Sequence, residues 1–208
     1  MKLALDTSSN KVAISVEDRG NIYCKYSEGD FSQAEEIAIL LQELCRENNL
    51  LLKNIKEIYC VIGPGSFTAV RVLVAFVKGF SIDSDIKIYP ISKFYYMLAN
   101  IASELSQIKG FEVLINCQKE KKEFFYQKIS NDYKVVSEAK IISFDEVVLN
   151  SKENYLISDY DFQKKDKLIK NFFYIRANDL KIELIFRLPP IINYYRLEPL
   201  YVRAPYVG

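Results

Sequence analysis

Two stretches carry residue types that could do chemistry. Asp6-Thr7-Ser8-Ser9 sets a carboxylate beside three hydroxyls, a donor set for a hydrated magnesium ion and a phosphate. Gly63-Pro64-Gly65-Ser66-Phe67-Thr68 follows an apolar, β-branched run and precedes a long apolar helical pattern. It reads as a strand, a tight turn and a helix start, an order that offers backbone N–H groups to an anion at a helix N-terminus. Ser66 suits the N-cap. The loop is not a P-loop, because the Gly-Lys-Ser/Thr ending is missing, and Thr68 stands where a dinucleotide fingerprint has its third glycine. Each stretch has a second reading: a serine-rich hairpin turn for the first, a tight structural turn for the second. The chain has no histidine. That removes Ser-His and Cys-His catalysis and His-ligated zinc. Neither a catalytic residue nor a metal ligand is assigned, and no cofactor is expected.

The composition sets the wider bounds. At 208 residues, 50% hydrophobic and 26% charged, the chain can bury one large core or two small ones. A net charge of +1 gives no long-range field for direct nucleic-acid binding. Asp6 interrupts the only early apolar run, so no signal peptide is read, and no run reaches membrane-spanning length. Cys24, Cys45, Cys60 and Cys117 are widely spaced without a CxxC. They read as buried reduced thiols of a cytoplasmic protein.

The elements that must position these residues follow from periodicity. Lys2 to Asp6, Val12 to Val16 and Ile22 to Tyr26 form a three-strand antiparallel meander with short polar turns. Ser32 caps a helix running to about Asn48, with Glu35 as its capping-box partner. That helix has an ordinary apolar stripe, broken only by Ile39 on the charged face. Strand Ile58 to Ile62 leads into the glycine loop and a helix over Phe67–Phe80, which is apolar almost all round, with only Arg71 and Lys78 as a polar strip. A sheet can cover one side of such a helix; a neighbouring helix or a partner chain must cover another. Val70, Arg71 and Val74 are expected to face outward, and Val72, Ala75, Phe76 and Gly79 to face the sheet. Ile86 to Ile91 is a strand, and Ser92 caps a helix from Lys93 to about Leu105.

The order recurs in the second half. Strands are expected at Phe111 to Cys117, Glu123 to Ile129, Tyr133 to Val136 and Asn154 to Ser158. A short helix opens at the capping box Ser143-Phe144-Asp145-Glu146, and another helix spans Asp179 to Leu188 before Pro189-Pro190. Residues 159–170 have no clear assignment, and Glu198 to Val202 is a last extended piece. The result is a mixed α/β (α+β) chain of duplicated βββαβα halves, divided at 1–108 and 109–208. The actin-like ATPase (ribonuclease H-like) fold is built this way. The second half carries a lysine-rich hairpin region with Phe124, Phe125 and Tyr126. It reads either as an RNA strip or as a solvated hairpin with its rings in the core. Tyr194-Tyr195 and the tyrosines near the C-terminus read as an interface or as packing of a closing segment.

Three pieces carry a resemblance. Lys2-Leu3-Ala4-Leu5-Asp6-Thr7-Ser8, the run from Gly63-Pro64-Gly65-Ser66-Phe67-Thr68 through Ala69-Val70-Arg71, and Glu198-Pro199-Leu200-Tyr201-Val202-Arg203 together resemble the bacterial TsaB (YeaZ) family. The glycine run matches the family pattern at eight of nine positions, with Ala69 in place of glycine. Phe31-Ser32 replaces a common His-Ser/Thr, and Asn116-Cys117-Gln118 replaces Asp-Ala-Arg. The resemblance implies a non-catalytic actin-like scaffold. It would pair with a TsaD-like catalytic subunit and work with a TsaE-like ATPase to place threonylcarbamoyl on the tRNA adenosine beside the anticodon. Contact with tRNA would come only through that complex, no membrane is involved, and a homodimer is open to the chain when alone. The first two helices would build the partner face, with Glu35, Ile39, Gln42, Val70, Arg71, Val74 and Lys78 on it. The rival is an active actin-like ATPase or small-molecule kinase using Asp6, Thr7, Ser8 and the Gly63–Thr68 loop. A free-standing RNA-binding module is a third reading, weakened by the charge.

Overall fold

In the computed structural model the described residues are 1–9, 11–27, 33–101, 110–118, 123–143, 145–147, 155–161, 172–189 and 196–202. The chain forms two compact units. One comprises Met1–Tyr96 with Lys181–Leu200, the other Met97–Leu180 with Tyr201–Gly208. A division at 108/109 was expected; residues 102–109 lie outside the described set, and Lys181–Leu200 joins the first unit.

The first unit is built on a five-stranded sheet. Strands β1 (Lys2–Asp6), β2 (Ala13–Asp18) and β3 (Asn21–Tyr26) form the expected meander, and β4 (Glu57–Val61) and β5 (Lys87–Ile91) extend it in parallel, in the order β3-β2-β1-β4-β5. Side chains alternate across a strand. Leu3, Leu5, Ile14, Val16, Ile58 and Cys60 therefore share one face, where helices α1 (Gln33–Glu47) and α2 (Phe67–Phe80) pack beside each other and close the core with Ile37, Leu41, Leu44, Leu73 and Val77. Lys25 lies on this helix side and bridges Glu43 and Glu47 of α1 at 2.7 Å each. The opposite face carries Cys24, Tyr26 and Tyr59. There Tyr26 donates to Glu183 at 2.9 Å, and the Phe186 ring stands edge-on to Tyr59 at 5.5 Å.

The segment that covers this second face is a 3-10 helix, Ile182–Arg187, where an α-helix over Asp179 to Leu188 was expected. Ile182, Ile185 and Leu188 are the buried residues. That spacing of three belongs to a helix with three residues per turn. Helix α3 (Lys93–Ala99) begins after Ser92, whose hydroxyl accepts the Tyr95 N–H at 3.4 Å.

The second unit repeats the strand plan. Strands β6 (Gly110–Gln118), β7 (Glu123–Ser130), β8 (Lys140–Ser143), β9 (Tyr155–Ser158) and β10 (Phe172–Tyr174) lie in the order β10-β9-β6-β7-β8. The pairing senses match the first sheet strand for strand: β6 with β7 and β7 with β8 antiparallel, β6 with β9 and β9 with β10 parallel. Two mixed sheets of one topology are the duplicated actin-like ATPase fold. Three expectations shift. The third strand is Lys140–Ser143, and Tyr133 to Val136 supplies only an isolated bridge from Val135 to Ile129. The strand at Phe172–Tyr174 was not read from the sequence. Phe124 is fully buried in the core with Leu114, Ile142, Val147 and Leu156, so it is no stacking platform. The capping box holds: Ser143 N–H donates to Glu146 at 2.8 Å, and the Glu146 N–H reaches the Ser143 hydroxyl at 3.4 Å.

Cys45 and Cys60 are buried as expected, whereas Cys24 is exposed on the edge strand β3. Among the described residues no helix is long and apolar enough to cross a membrane. The expected cap at Ser32, the box partner Glu35 and the tyrosines Tyr194, Tyr195 and Tyr206 fall outside the residues whose side chains are described. So do most of residues 159–170.

Candidate functional site

The two stretches with chemical potential meet. The turn after β1 and the loop after β4 lie side by side because β1 and β4 are parallel neighbours and both chains leave the sheet at the same end. Gly65 is pressed onto the first turn so closely that a Cβ there would sit 2.3 Å from the Ser8 carbonyl oxygen and 2.8 Å from the Ser8 Cβ. The Ser66 N–H points to that same carbonyl at 3.4 Å. Thr7 Oγ1 donates to the Ala69 carbonyl at 2.9 Å and ties the turn to the first turn of α2.

The loop is anchored from its other side too. Gly63 adopts φ +96, a conformation natural to glycine, and its carbonyl accepts the Lys93 N–H at 2.6 Å. The Ile62 carbonyl accepts the Leu200 N–H at 2.8 Å. Gly63 and Pro64 are buried; Gly65, Ser66, Phe67 and Thr68 are exposed. Ser66 stands at the N-cap position, but its hydroxyl makes no cap bond.

Asp6 is 3% exposed. Its Oδ1 accepts the Ser8 N–H at 2.7 Å. Burial raises its pKa, against the Lys93 charge and the Ser8 hydrogen bonds, which lower it. Thr7 and Ser8 are buried beside it. The carboxylate thus serves its own turn and faces a buried lysine. In the loop backbone the Ser66 N–H points to Ser8 and the Gly63 carbonyl accepts from Lys93, while Leu200 holds the preceding Ile62.

The second half holds an acid that its hairpin sequence does not. Asp159, just beyond β9, brings Oδ1 to the Asn116 N–H at 2.7 Å. The hairpin Asn116-Cys117-Gln118 contains no acid itself, and the β6–β9 pairing brings Asp159 to Asn116.

The partner-face residues divide. Along α2, Ala69, Val70, Leu73, Val74 and Val77 are the buried stripe, and Phe67, Thr68, Arg71, Ala75, Lys78 and Gly79 are the exposed one. Val70 and Val74, expected outward, are each only 4% exposed, and Ala75 and Gly79, expected inward, face solvent. A helix apolar all round does not reveal which side meets the sheet. The neighbouring α1 and the strand pair β1–β4 select the larger valines and leucine. Arg71, Lys78, Ile39 and Gln42 are exposed as expected. Ile39 at 53%, Phe67 at 40% and Ile82 at 70% stand out as large apolar side chains in solvent, with the Arg71 guanidinium 5.0 Å over the Phe67 ring.

All three sequence pieces that carry the TsaB resemblance therefore converge: Asp6 to Ser8, Gly63 to Ala69, and Leu200. Comparison with known proteins agrees. The family model TsaD, tRNA N6-adenosine threonylcarbamoyltransferase, matches residues 32–178, well over half of the chain. The chain belongs to the family of that model. It is 28% identical over 116 residues to the tRNA threonylcarbamoyladenosine biosynthesis protein TsaB of Haemophilus influenzae, a match over 56% of this chain and 49% of that protein. The chain thus spans about half the length of that curated relative. In fold it resembles YeaZ from Pseudomonas aeruginosa, with a TM-score of 0.74 at 14% identity over 96% of this chain and 98% of that one. It also resembles a crystallised protein described as similar to peptidase YeaZ from Pseudomonas aeruginosa, with a TM-score of 0.71 at 17% identity over 97% and 99% of the two chains.

Proposed function

We propose that this protein is a non-catalytic scaffold and activator in tRNA threonylcarbamoyladenosine biosynthesis. It pairs with a TsaD-like catalytic subunit, works alongside a TsaE-like ATPase, and meets tRNA only within that complex. The observation that carries the reading is the exposed stripe of α1 and α2. Ile39, Gln42 and Arg46 are exposed on α1 and Phe67, Arg71, Ala75, Lys78 and Gly79 on α2, and the two helices pack against each other. The stripe combines solvent-exposed apolar side chains with small residues that let another helix approach closely. It lies on the two helices expected to form the partner face. The non-catalytic part of the reading is supported by Asp6, which is buried and hydrogen-bonded to its own turn.

The same stripe serves a homodimer when the chain is alone. The test is size-exclusion with mass measurement of the chain mixed with TsaD, for wild type and for the Ile39→Glu, Ala75→Glu double variant. The wild type should co-elute with TsaD and the variant should elute apart while keeping its circular-dichroism melt. Equal co-elution of both would remove α1 and α2 from the interface.

A further inference from the structure

The second unit contains a hollow of about 220 Å³ lined by Glu112, Tyr126, Lys128, Lys140 and Ile142. The strand register builds it. Glu112 pairs with Lys128 across β6 and β7, Tyr126 pairs with Lys140 across β7 and β8, and the period of two sets all four side chains on one face. Glu112 is 3% exposed. Lys128 reaches its carboxylate only at 3.7 Å, longer than a charge-assisted hydrogen bond. The Lys140 ammonium lies 5.6 Å from the centre of the Tyr126 ring, a contact that uses none of its three N–H donors. Burial first, and the Glu112 charge second, push the Tyr126 phenol up to about 12, so it is a neutral donor at physiological pH.

We propose that this hollow binds a small hydroxycarboxylate, with the carboxylate between the Lys128 and Lys140 ammonium groups and the hydroxyl donating to Glu112. Charge selects the class. Among the described residues of the lining, two lysines and one glutamate leave one positive charge in excess, which a monoanion neutralises and a phosphate dianion exceeds. A carboxylate has about four acceptor positions, so Glu112 can take a hydroxyl hydrogen while paired with Lys128. Tyr126 and Ile142 supply apolar walls for a short carbon chain. The size agrees: a cavity of about 150 Å³ is enough for a six-carbon ring. Nothing in the scaffold reading requires this site.

Lactate, propionate and inorganic phosphate are the probes, titrated into the full chain and followed by NMR and calorimetry. The hollow should bind a ligand as small as lactate with a Kd of about 1–10 mM, with saturable shifts at Tyr126, Lys128 and Lys140. Lys140→Met and Lys128→Met, which keep the alkyl stems, should each weaken lactate about tenfold. Propionate, lacking the hydroxyl, should bind several-fold more weakly than lactate, and Glu112→Gln should shrink that gap. Thermal melts of each variant verify folding. If Lys140→Met and Lys128→Met both fold and both leave lactate binding unchanged, or if lactate does not saturate, the site is refuted. Phosphate binding tighter than lactate would overturn the monoanion assignment.

Discussion

Gly65 is the residue on which the junction of the two motifs depends, and replacing it with alanine gives a worked outcome. The added Cβ would lie 2.3 Å from the Ser8 carbonyl oxygen, whereas carbon and oxygen rest at about 3.3–3.6 Å. Loop and turn must part by roughly 1 Å. The atom met is backbone, so no side chain can swing aside. Overpacking of this kind costs about 1–3 kcal/mol. The parting also pulls on the Ser66 N–H contact and the Thr7–Ala69 hydrogen bond, worth about 1 kcal/mol each at most. A loss of about 2–4 kcal/mol lowers the urea midpoint by roughly 1–2 M. The control is Gly79→Ala on the same helix, where a Cβ meets nothing within 4 Å. There the change should stabilise by about 0.5–1 kcal/mol. Urea unfolding of the three proteins by circular dichroism makes the comparison. A Gly65→Ala midpoint at or above the wild-type value would refute the close packing of loop on turn.

Two further outcomes rest on burial. Val74→Glu places a charge among Leu73, Val77 and the sheet core and should cost several kcal/mol, unfolding the first unit, whereas Ala75→Glu should leave the melt within about 0.5 kcal/mol of wild type; equal melts would reverse the facing of α2. Asp6 has a folded-state pKa above its unfolded one, so the folded protein holds its proton more tightly. Its contribution to stability is full below the unfolded value and is lost as pH rises through the folded one. Asp6→Asn should therefore gain on wild type as pH is raised from about 4 towards neutrality, and a stability difference flat with pH would contradict the buried, lysine-facing carboxylate.

Much of this was legible in the sequence, for identifiable reasons. The first sheet and the bounds of α2 follow from short alternating strands and from the Gly-Pro-Gly punctuation. The facing of α2 did not follow, because valines and alanines on every side make the periodicity blind, and only α1 and the sheet choose Val70 and Val74 over Ala75 and Gly79. The third strand of the second unit was misplaced because Tyr133–Val136 and Lys140–Ser143 are both short β-prone runs, and pairing with Glu123–Tyr126 selects the second. Asp159 was missed as a partner of Asn116 because 43 residues separate them. The hollow at Glu112 was hidden for the same reason: three strands must be in register before its charges meet. The 3-10 segment had a usable signal, since Ile182, Ile185 and Leu188 recur every third residue.

The proposed role, enabling a TsaD-like enzyme while doing no transfer itself, is open to direct test. Threonylcarbamoylation of tRNA should be measured with TsaD and TsaE present, with and without this chain, and with the Ile39→Glu, Ala75→Glu variant in its place. Modified adenosine is expected only with the wild-type chain, and no transfer by the chain alone. Full modification without the chain, or undiminished modification with the variant, would contradict it.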